Sequence, residues 1–167
     1  MTSKRLNNYG KINRDKTISF TWDNKKYNGL EGDSLASALL ANNIGVVGRS
    51  FKYHRPRGIF SSGVEESGAL VTIGSKDRRD PNVRATTQEL YDGLKASGQN
   101  AFPNVNFDLG GINNYIGRFF AAGFYYKTFM GIPPFDWGKG TTIWMLFEKL
   151  IRKAAGMGSA SRLPDPD

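Results

Sequence analysis

Hydrophobic and polar residues alternate strictly along residues 17–22. A period of two is typical of a β-strand with one buried face. That face would carry the large residues Ile18, Phe20 and Trp22. Asp23 and Asn24 then supply turn chemistry, and residues 26–30 can return as a second strand. The pattern therefore predicts a β-hairpin at the start of the domain.

Residues 35–43 are predicted to form a helix. The positions that share one side of it, at spacing i, i+3, i+4 and i+7, are Leu35, Ala38, Leu39 and Asn42. Asp33 or Ser34 can accept the unpaired amide protons of the first turn, and Asn43 can close the last turn. We expect this helix to lie across the hairpin. Residues 44–47 form a short apolar run that favours a further strand.

Shorter strands are predicted in the next part of the chain. Residues 69–73 are rich in β-branched side chains, which favour strands, whereas residues 74–81 have the composition of a charged turn. Two last strands, at residues 83–90 and 94–96, would flank a tight turn that contains Gly93. This order of elements predicts an α+β fold of the β-grasp type, in which one helix packs on a mixed sheet.

Composition divides the chain into four segments. Residues 1–16 are polar and basic and are expected to form an arm that a partner would order. Residues 17–96 form the predicted β-grasp domain, and residues 97–155 form a connector with helices. Residues 156–167 have the composition of a linker, so we expect a further domain to follow.

The connector is irregular and rich in aromatic residues. Four rings lie within residues 121–130, and aromatic residues continue through a Pro-Pro break to Trp137. So much apolar surface on an irregular segment is expected to be covered by a partner domain. The pattern also predicts a short helix at residues 112–120 and an amphipathic helix at residues 141–155.

Charge and composition narrow the possible partners. The chain has 167 residues, of which 39% are hydrophobic, and a net charge of +8, which would suit nucleic acid, an anionic membrane or an acidic protein. It contains no Arg-Gly repeat, zinc-finger spacing or basic heptad, and no apolar run near the roughly 18 residues that span a bilayer. We therefore expect neither nucleic acid nor a membrane as partner.

The absence of cysteine excludes several kinds of chemistry. Disulfides, thiolate metal sites and cysteine nucleophiles all need a residue that this chain lacks. The first residues also lack the apolar stretch of a secretory signal. We expect a cytoplasmic protein.

The basic segment, residues 48–61, is the candidate contact surface. Its candidate residues for an interface or an anion are Arg49, Lys52, Tyr53, His54, Arg55 and Arg57. On an extended segment the cations would point one way towards a phosphate, an acidic partner or a cofactor tail, while the rings would anchor the other side. In the alternative interpretation it is a solvated loop whose rings fill the local core. Pro56 and Gly58 predict a fixed bend.

Few residues could support catalysis. His54 is the only histidine, no carboxylate lies near it in the sequence, and the neighbouring cations disfavour its protonation. We therefore expect it to stack or to contact a phosphate. Glu65 and Glu66 could bind a metal, but a solvated turn is the favoured interpretation because adjacent side chains tend to diverge. The sequence predicts no catalytic residue and no metal site in this chain alone.

Several separate blocks carry a family resemblance. They are residues 20–23, 32–41, 48–58, 81–86, 89–93, 99–100 and 122–130. Together they resemble the amino-terminal part of the alpha subunit of heterotetrameric sarcosine oxidase. The resemblance implies a domain related to 2Fe–2S ferredoxins, followed in the full-length subunit by a dinucleotide-binding domain and a folate-binding domain.

The resemblance also implies an activity for the complex. That complex would oxidatively demethylate sarcosine to glycine with FAD, FMN and NAD, produce hydrogen peroxide, and pass the one-carbon unit to tetrahydrofolate. Its partners would be the remaining domains of the alpha subunit and the other subunits. Two alternatives stay open: the same domain in a related amine or amino-acid dehydrogenase subunit, and a free-standing basic binding module.

One departure from this resemblance concerns the iron–sulfur cluster. Relatives that keep the cluster have a cysteine-bearing loop after a Pro-Arg-Gly block and a final cysteine further along. The corresponding positions here are Ser61, Ser62, Glu65, Ser67 and Gly68, with Thr86 near the final one. Neutral serine cannot replace the charge and softness of a thiolate towards iron. We therefore expect a ferredoxin-like scaffold that binds no cofactor by itself.

Overall fold

The computed structural model describes residues 5–6, 9–117 and 152. Seven strands and two short helices lie in this part of the chain. They are β1 (Asn13–Trp22), β2 (Lys25–Glu31), α1 (Leu35–Ala41), β3 (Gly48–Arg49), β4 (Pro56–Arg57), β5 (Leu70–Ile73), β6 (Asp80–Arg84), β7 (Lys95–Gly98) and α2 (Asn113–Ile116). Single 3₁₀ turns at Lys76–Arg78 and Leu109–Ile112 complete the list.

A five-stranded mixed sheet forms the centre of the fold. Its strand order is β2-β1-β7-β5-β6, in which β1 and β7 run parallel and the other neighbours run antiparallel. Helix α1 buries its apolar side in the same core as the hairpin, as predicted. The architecture confirms the α+β, β-grasp fold.

The predicted hairpin is present, and its turn follows from two residues. Asp23 and Asn24 have φ of 45° and 65°, the left-handed conformation that a two-residue turn between twisted strands needs. The side chains predicted to be buried, Ile18, Phe20 and Trp22, are 8%, 2% and 2% exposed. Because alternate side chains of a strand point to opposite faces, the register of the hairpin sets the core.

Part of the segment predicted to be a basic arm, residues 1–16, belongs to the sheet or contacts the domain. Strand β1 begins at Asn13, within the segment that we expected a partner to order. Further back, the guanidinium of Arg5 forms an ion pair with the buried carboxylate of Asp33. Arg14 donates to the carbonyl of Tyr9 over 2.6 Å. Contacts within the domain therefore hold described residues of this segment.

Helix α1 begins as predicted and ends two residues early. The Ser34 hydroxyl accepts a hydrogen bond from the Ser37 amide over 3.2 Å, which satisfies one free donor of the first turn. The helix ends at Ala41, and Asn43 takes a left-handed φ of 61° just beyond it. Asp33 does not cap the helix by a backbone contact; its carboxylate accepts from the Leu30 amide.

Two predicted strands are wrong. Residues 44–47 do not form a strand, and pairing begins only at Gly48. The strand predicted at residues 83–90 is displaced: β6 begins at Asp80, inside the predicted charged turn of residues 74–81, and ends at Arg84. The chain leaves the sheet there because it meets the start of α1, where the amides of Leu35 and Ala36 donate to the carbonyls of Gln88 and Ala85 at 2.8 Å. These contacts satisfy helix-terminal donors that a continued strand would leave unpaired.

The connector is described as far as residue 117. Its first part contains α2, within the helix predicted at residues 112–120. The aromatic stretch at residues 121–137, the helix predicted at 141–155 and the predicted linker lie outside the described residues, apart from Arg152. Among the described residues, no helix has the length and apolar content needed to cross a bilayer.

Candidate functional site

The basic segment turns back on itself instead of running extended. Strands β3 and β4 pair antiparallel, with Gly48 opposite Arg57, and form what we call the basic hairpin, residues 48–57. Ser50 closes the turn, because its amide donates to the Arg55 carbonyl over 2.8 Å and its carbonyl accepts from the His54 amide over 2.9 Å. His54 itself has a left-handed φ of 53°. The cations therefore do not share one face of a strand, which corrects the extended interpretation.

Arg49 clamps the basic hairpin to the segment after β7. Its Nε and Nη2 atoms donate to the carbonyl of Val105 over 2.9 and 2.6 Å, and its Nη1 donates to the His54 carbonyl over 3.3 Å. Its backbone amide donates to the Gln99 carbonyl over 2.9 Å. A guanidinium with these partners holds the hairpin in place. An interface or anion contact at Arg49 stays a prediction.

His54 has a carboxylate partner that the sequence did not reveal. Its Nδ1 atom lies 2.7 Å from Oδ2 of Asp108, whose side chain is 1% exposed. The other carboxylate oxygen, Oδ1, accepts from the amides of Phe102 and Gly110 over 3.0 and 3.1 Å. Burial alone would raise the pKa of Asp108, but the Phe102 amide, His54 and the Gly110 amide outweigh burial and lower it.

The position of the histidine ring depends on a glycine. A Cβ atom at Gly110 would meet the imidazole of His54 well inside van der Waals contact. The ring is therefore packed against backbone on one side and held by the Asp108 carboxylate on the other. His54 thus forms a histidine–aspartate pair, and an interface or anion contact at His54 stays a prediction.

The remaining candidate cations gather around one ring. Lys52 Nζ and the guanidinium carbon of Arg55 lie 4.9 and 4.7 Å from the centre of the Tyr53 ring, which are cation–π distances. Arg55 and Arg57 are exposed, and Phe60 is 82% exposed instead of filling the core. An interface or anion contact at Lys52, Tyr53, Arg55 and Arg57 stays a prediction.

The second feature of the site is the loop of residues 58–69, which we call the carboxylate loop. The Glu66 side chain lies inside it and is 2% exposed. Its Oε2 atom accepts from the amides of Phe60 and Ser61 over 2.6 and 2.7 Å, and its Oε1 atom accepts from the amides of Gly68 and Ala69. The solvated turn predicted for the two glutamates is therefore wrong for Glu66, whereas Glu65 is exposed.

These contacts change the acidity of Glu66. Burial alone would raise its pKa, but the amides of Ser61, Gly68, Phe60 and Ala69 outweigh burial and lower the pKa to about 2. The loop is also tied to the sheet side of the domain, since the Thr86 hydroxyl donates to the Gly63 carbonyl over 2.8 Å and Arg84 Nε donates to the Glu66 carbonyl over 3.2 Å. Glu66 is thus an ionised carboxylate in a fixed, amide-lined loop.

The family is decided by a match over the described domain. The family model described as "2Fe-2S iron-sulfur cluster binding domain" matches residues 15–101. The chain belongs to this family. The match agrees with the ferredoxin-like β-grasp fold that the strand order shows.

Curated relatives agree with the resemblance. The chain is 53% identical over 167 residues to "Sarcosine oxidase subunit alpha" of Rhizobium meliloti (strain 1021), which covers 100% of this chain and 16% of that protein. It is 44% identical over 90 residues to the subunit of the same name from Corynebacterium sp. (strain U-96), covering 52% of this chain and 9% of that protein. The resemblance to sarcosine oxidase alpha subunits is confirmed, and the chain spans less than a fifth of these relatives' length.

A solved structure also shows similarity. It is the crystal structure of L-proline dehydrogenase from P. horikoshii, with 28% sequence identity, a TM-score of 0.43, and coverage of 52% of this chain and 16% of that one. The TM-score is low, so this similarity does not bear on function.

The residues of this family member do not fit a 2Fe–2S cluster. Cluster irons are held by cysteine thiolates, with histidine as the exception, and the chain has no cysteine and one histidine. Within residues 5–6, 9–117 and 152, no group of three or more His, Asp or Glu side chains is placed to hold a metal ion. In the carboxylate loop, four amides already donate to Glu66. The described residues therefore offer no ligand set for a 2Fe–2S cluster.

Proposed function

We propose that this chain is the amino-terminal, ferredoxin-like segment of a sarcosine oxidase alpha subunit, and that it acts as a structural and interface unit. The observation that carries this proposal is the 53% identity to the Rhizobium meliloti subunit along all 167 residues. The complete enzyme would demethylate sarcosine to glycine with release of hydrogen peroxide and transfer of the one-carbon unit to tetrahydrofolate. FAD, FMN and NAD would be bound by other parts of the complex.

The side chains of the site support a framework role. The imidazole of His54 contacts the Asp108 carboxylate and packs on Gly110. The guanidinium of Arg49 donates its hydrogen bonds to backbone carbonyls of the same domain. A group that accepts or donates protons in catalysis has to reach its substrate. These residues instead join the basic hairpin to the segment after β7.

Several exposed apolar side chains between residues 102 and 115 support an interface with other parts of the enzyme. They are Phe102, Phe107, Leu109, Ile112 and Tyr115, which are 58–78% exposed. Clusters of large exposed apolar side chains are typical of surfaces that bind other proteins. The exposed cations of the basic hairpin lie beside this segment, since Arg55 Nε is 3.5 Å from the Asn114 side-chain oxygen. We propose that remaining alpha-subunit domains or companion subunits cover both.

The test uses the complete protein that contains this chain, purified with its companion subunits. Sarcosine added without oxygen should reduce the flavin and bleach its visible absorbance, and oxygen should then yield hydrogen peroxide. The 167-residue chain alone should show no turnover. Proline and other secondary amines are compared in parallel, because flavin reduction by one of these and not by sarcosine would assign the chain to another amine dehydrogenase.

A further inference from the structure

The carboxylate loop has the features of an anion-binding loop. Four backbone N–H groups, from Phe60, Ser61, Gly68 and Ala69, point at the same two oxygen atoms. Concavities lined by backbone N–H groups bind anions in proteins, among them phosphate and iron–sulfur clusters. In this chain the anion is a side chain of the loop itself.

The ends of the carboxylate loop are packed backbone against backbone. A Cβ atom at Gly68 would lie 2.8 Å from the carbonyl oxygen of Gly58, and one at Gly58 would lie 2.9 Å from the carbonyl oxygen of Gly45. Backbone therefore packs on backbone at the ends of the loop. Gly68 and Ala69 are buried, so their amides would lose a hydrogen-bond partner without Glu66.

Glu66 and its neighbour make a natural comparison. The two glutamates are adjacent, yet Glu65 is exposed and Glu66 is 2% exposed. A buried carboxylate is tolerated only when hydrogen bonds or opposite charges compensate its lost hydration. Here four amides provide that compensation, and they do so for Glu66 alone.

We propose that the Glu66 carboxylate is the resident anion of this loop, holding residues 58–69 closed so that this member of a cluster-binding family completes its fold without a metal cluster. Removal of the carboxylate should leave an amide-lined cavity that accepts a small carboxylate from solution. Formate is the probe of matching chemistry, because it carries two equivalent oxygens and little else.

The experiment compares three variants of the 167-residue chain with the unchanged chain. Glu66→Gln keeps the shape but replaces one acceptor oxygen with an NH₂ group, Glu66→Ala removes the anion, and Glu65→Ala is the matched control. Thermal unfolding is followed by circular dichroism in sodium formate and in equal sodium chloride. Hydrogen exchange is measured at the amides of residues 60, 61, 68 and 69.

We expect the melting temperature of Glu66→Gln to fall by about 5 °C or more, and that of Glu65→Ala to change by no more than about 2 °C. Exchange at the four amides should be at least about tenfold faster in Glu66→Gln. Formate should raise the melting temperature of Glu66→Ala above its value in chloride, and leave the Glu65→Ala control unmoved.

Two results would overturn the proposal. One is a Glu66→Gln variant with the melting temperature and amide exchange of the unchanged chain. The other is a rise in melting temperature with formate that is equally large in all variants, because such a rise would be a general effect of the salt. Should Glu66→Ala not fold even in formate, the exchange rates of Glu66→Gln decide: faster exchange at the four amides supports the proposal, and unchanged rates refute it.

Discussion

Nδ1 of His54 lies 2.7 Å from Oδ2 of Asp108, a buried carboxylate 54 residues further along the chain. The pair joins the turn of the basic hairpin to the segment that follows β7. The same carboxylate accepts two backbone amides through its other oxygen. The Asp108 carboxylate thus contacts both the turn of the basic hairpin and the backbone of the segment after β7.

Asp108→Asn should therefore weaken the domain without unfolding it. The asparagine oxygen can still accept from the amides of Phe102 and Gly110, but its neutral NH₂ group replaces the charged oxygen beside Nδ1 of His54. We expect the free energy of unfolding to fall by about 1–2 kcal/mol, and by more in Asp108→Ala. Urea denaturation at neutral pH measures both. An Asp108→Asn variant as stable as the unchanged chain would show that the histidine contact contributes nothing.

Acid should destabilise the domain through Glu66. Its pKa falls from 4.5 to about 2 on folding, so its contribution to stability is fully present above pH 4.5 and is lost as the pH falls towards 2. Between these values, the melting temperature of the unchanged chain should decline more steeply than that of Glu66→Gln. The neighbouring charged groups are Glu65, whose pKa is also lowered, and Arg84, which donates to the Glu66 carbonyl. Parallel declines in the two proteins would contradict the prediction.

Asp23→Asn should stabilise the hairpin. Burial raises the pKa of Asp23 by more than the amides of Gly98 and Val105 and the charge of Lys25 lower it. Its contribution to stability is therefore fully present below its ordinary pKa of 3.8 and is lost as the pH rises through the folded value. Among the described residues, its Oδ2 is a buried oxygen with no hydrogen-bond partner, whereas Oδ1 accepts from the Gly98 amide.

Asparagine keeps the Oδ1 acceptor, tolerates the left-handed φ and removes the charge. We expect a gain of up to about 1 kcal/mol at neutral pH by urea denaturation. Asp92→Asn is the control and should change stability little, because Asp92 is exposed and asparagine keeps an oxygen that can accept from the Ser19 amide. A loss of stability in Asp23→Asn would mean that the negative charge itself is needed in the turn.

Substitution of the arginines of the basic hairpin should have two different effects: loss of Arg49 should lower stability, and loss of Arg55 and Arg57 should weaken assembly. Arg49→Ala removes the clamp on the Val105 carbonyl, and we expect it to cost about 2 kcal/mol in the free energy of unfolding. Arg55→Ala with Arg57→Ala removes exposed charges and should change the melting temperature little. In the complete protein, that double variant should bind companion subunits more weakly at low salt. A large fall in melting temperature with unchanged assembly would make these arginines folding elements.

Iron and sulfide should not restore a ferredoxin-like chromophore. Without thiolate ligands, the chain incubated with ferrous iron and sulfide under reducing conditions should show no 2Fe–2S charge-transfer bands in the visible spectrum after desalting. A ferredoxin of the same family treated in parallel controls the reconstitution. Visible bands that stay with the protein and scale with bound iron would refute the prediction.

Local patterns were sufficient for the first hairpin and for the start of helix α1. The alternation of Ile18, Phe20 and Trp22 and the turn chemistry of Asp23 and Asn24 act over neighbouring residues, so they are readable in one dimension. The strand predicted at residues 83–90 extended too far because a turn signal at Gly93 does not reveal that the start of helix α1 lies beside Ala85. Long-range hydrogen bonds decided where that strand ended.

The sequence by itself determined the fold class and the lack of thiolate ligands, because alternation, turn residues and composition are properties of the chain. It could not place His54 against Asp108, since the two groups meet only after the connector folds back onto the basic hairpin. Nor could it tell Glu65 from Glu66, which are chemically identical until the loop turns its amides towards one of them. Tertiary structure decided both, because the environment of a charged group depends on which backbone donors surround it in space.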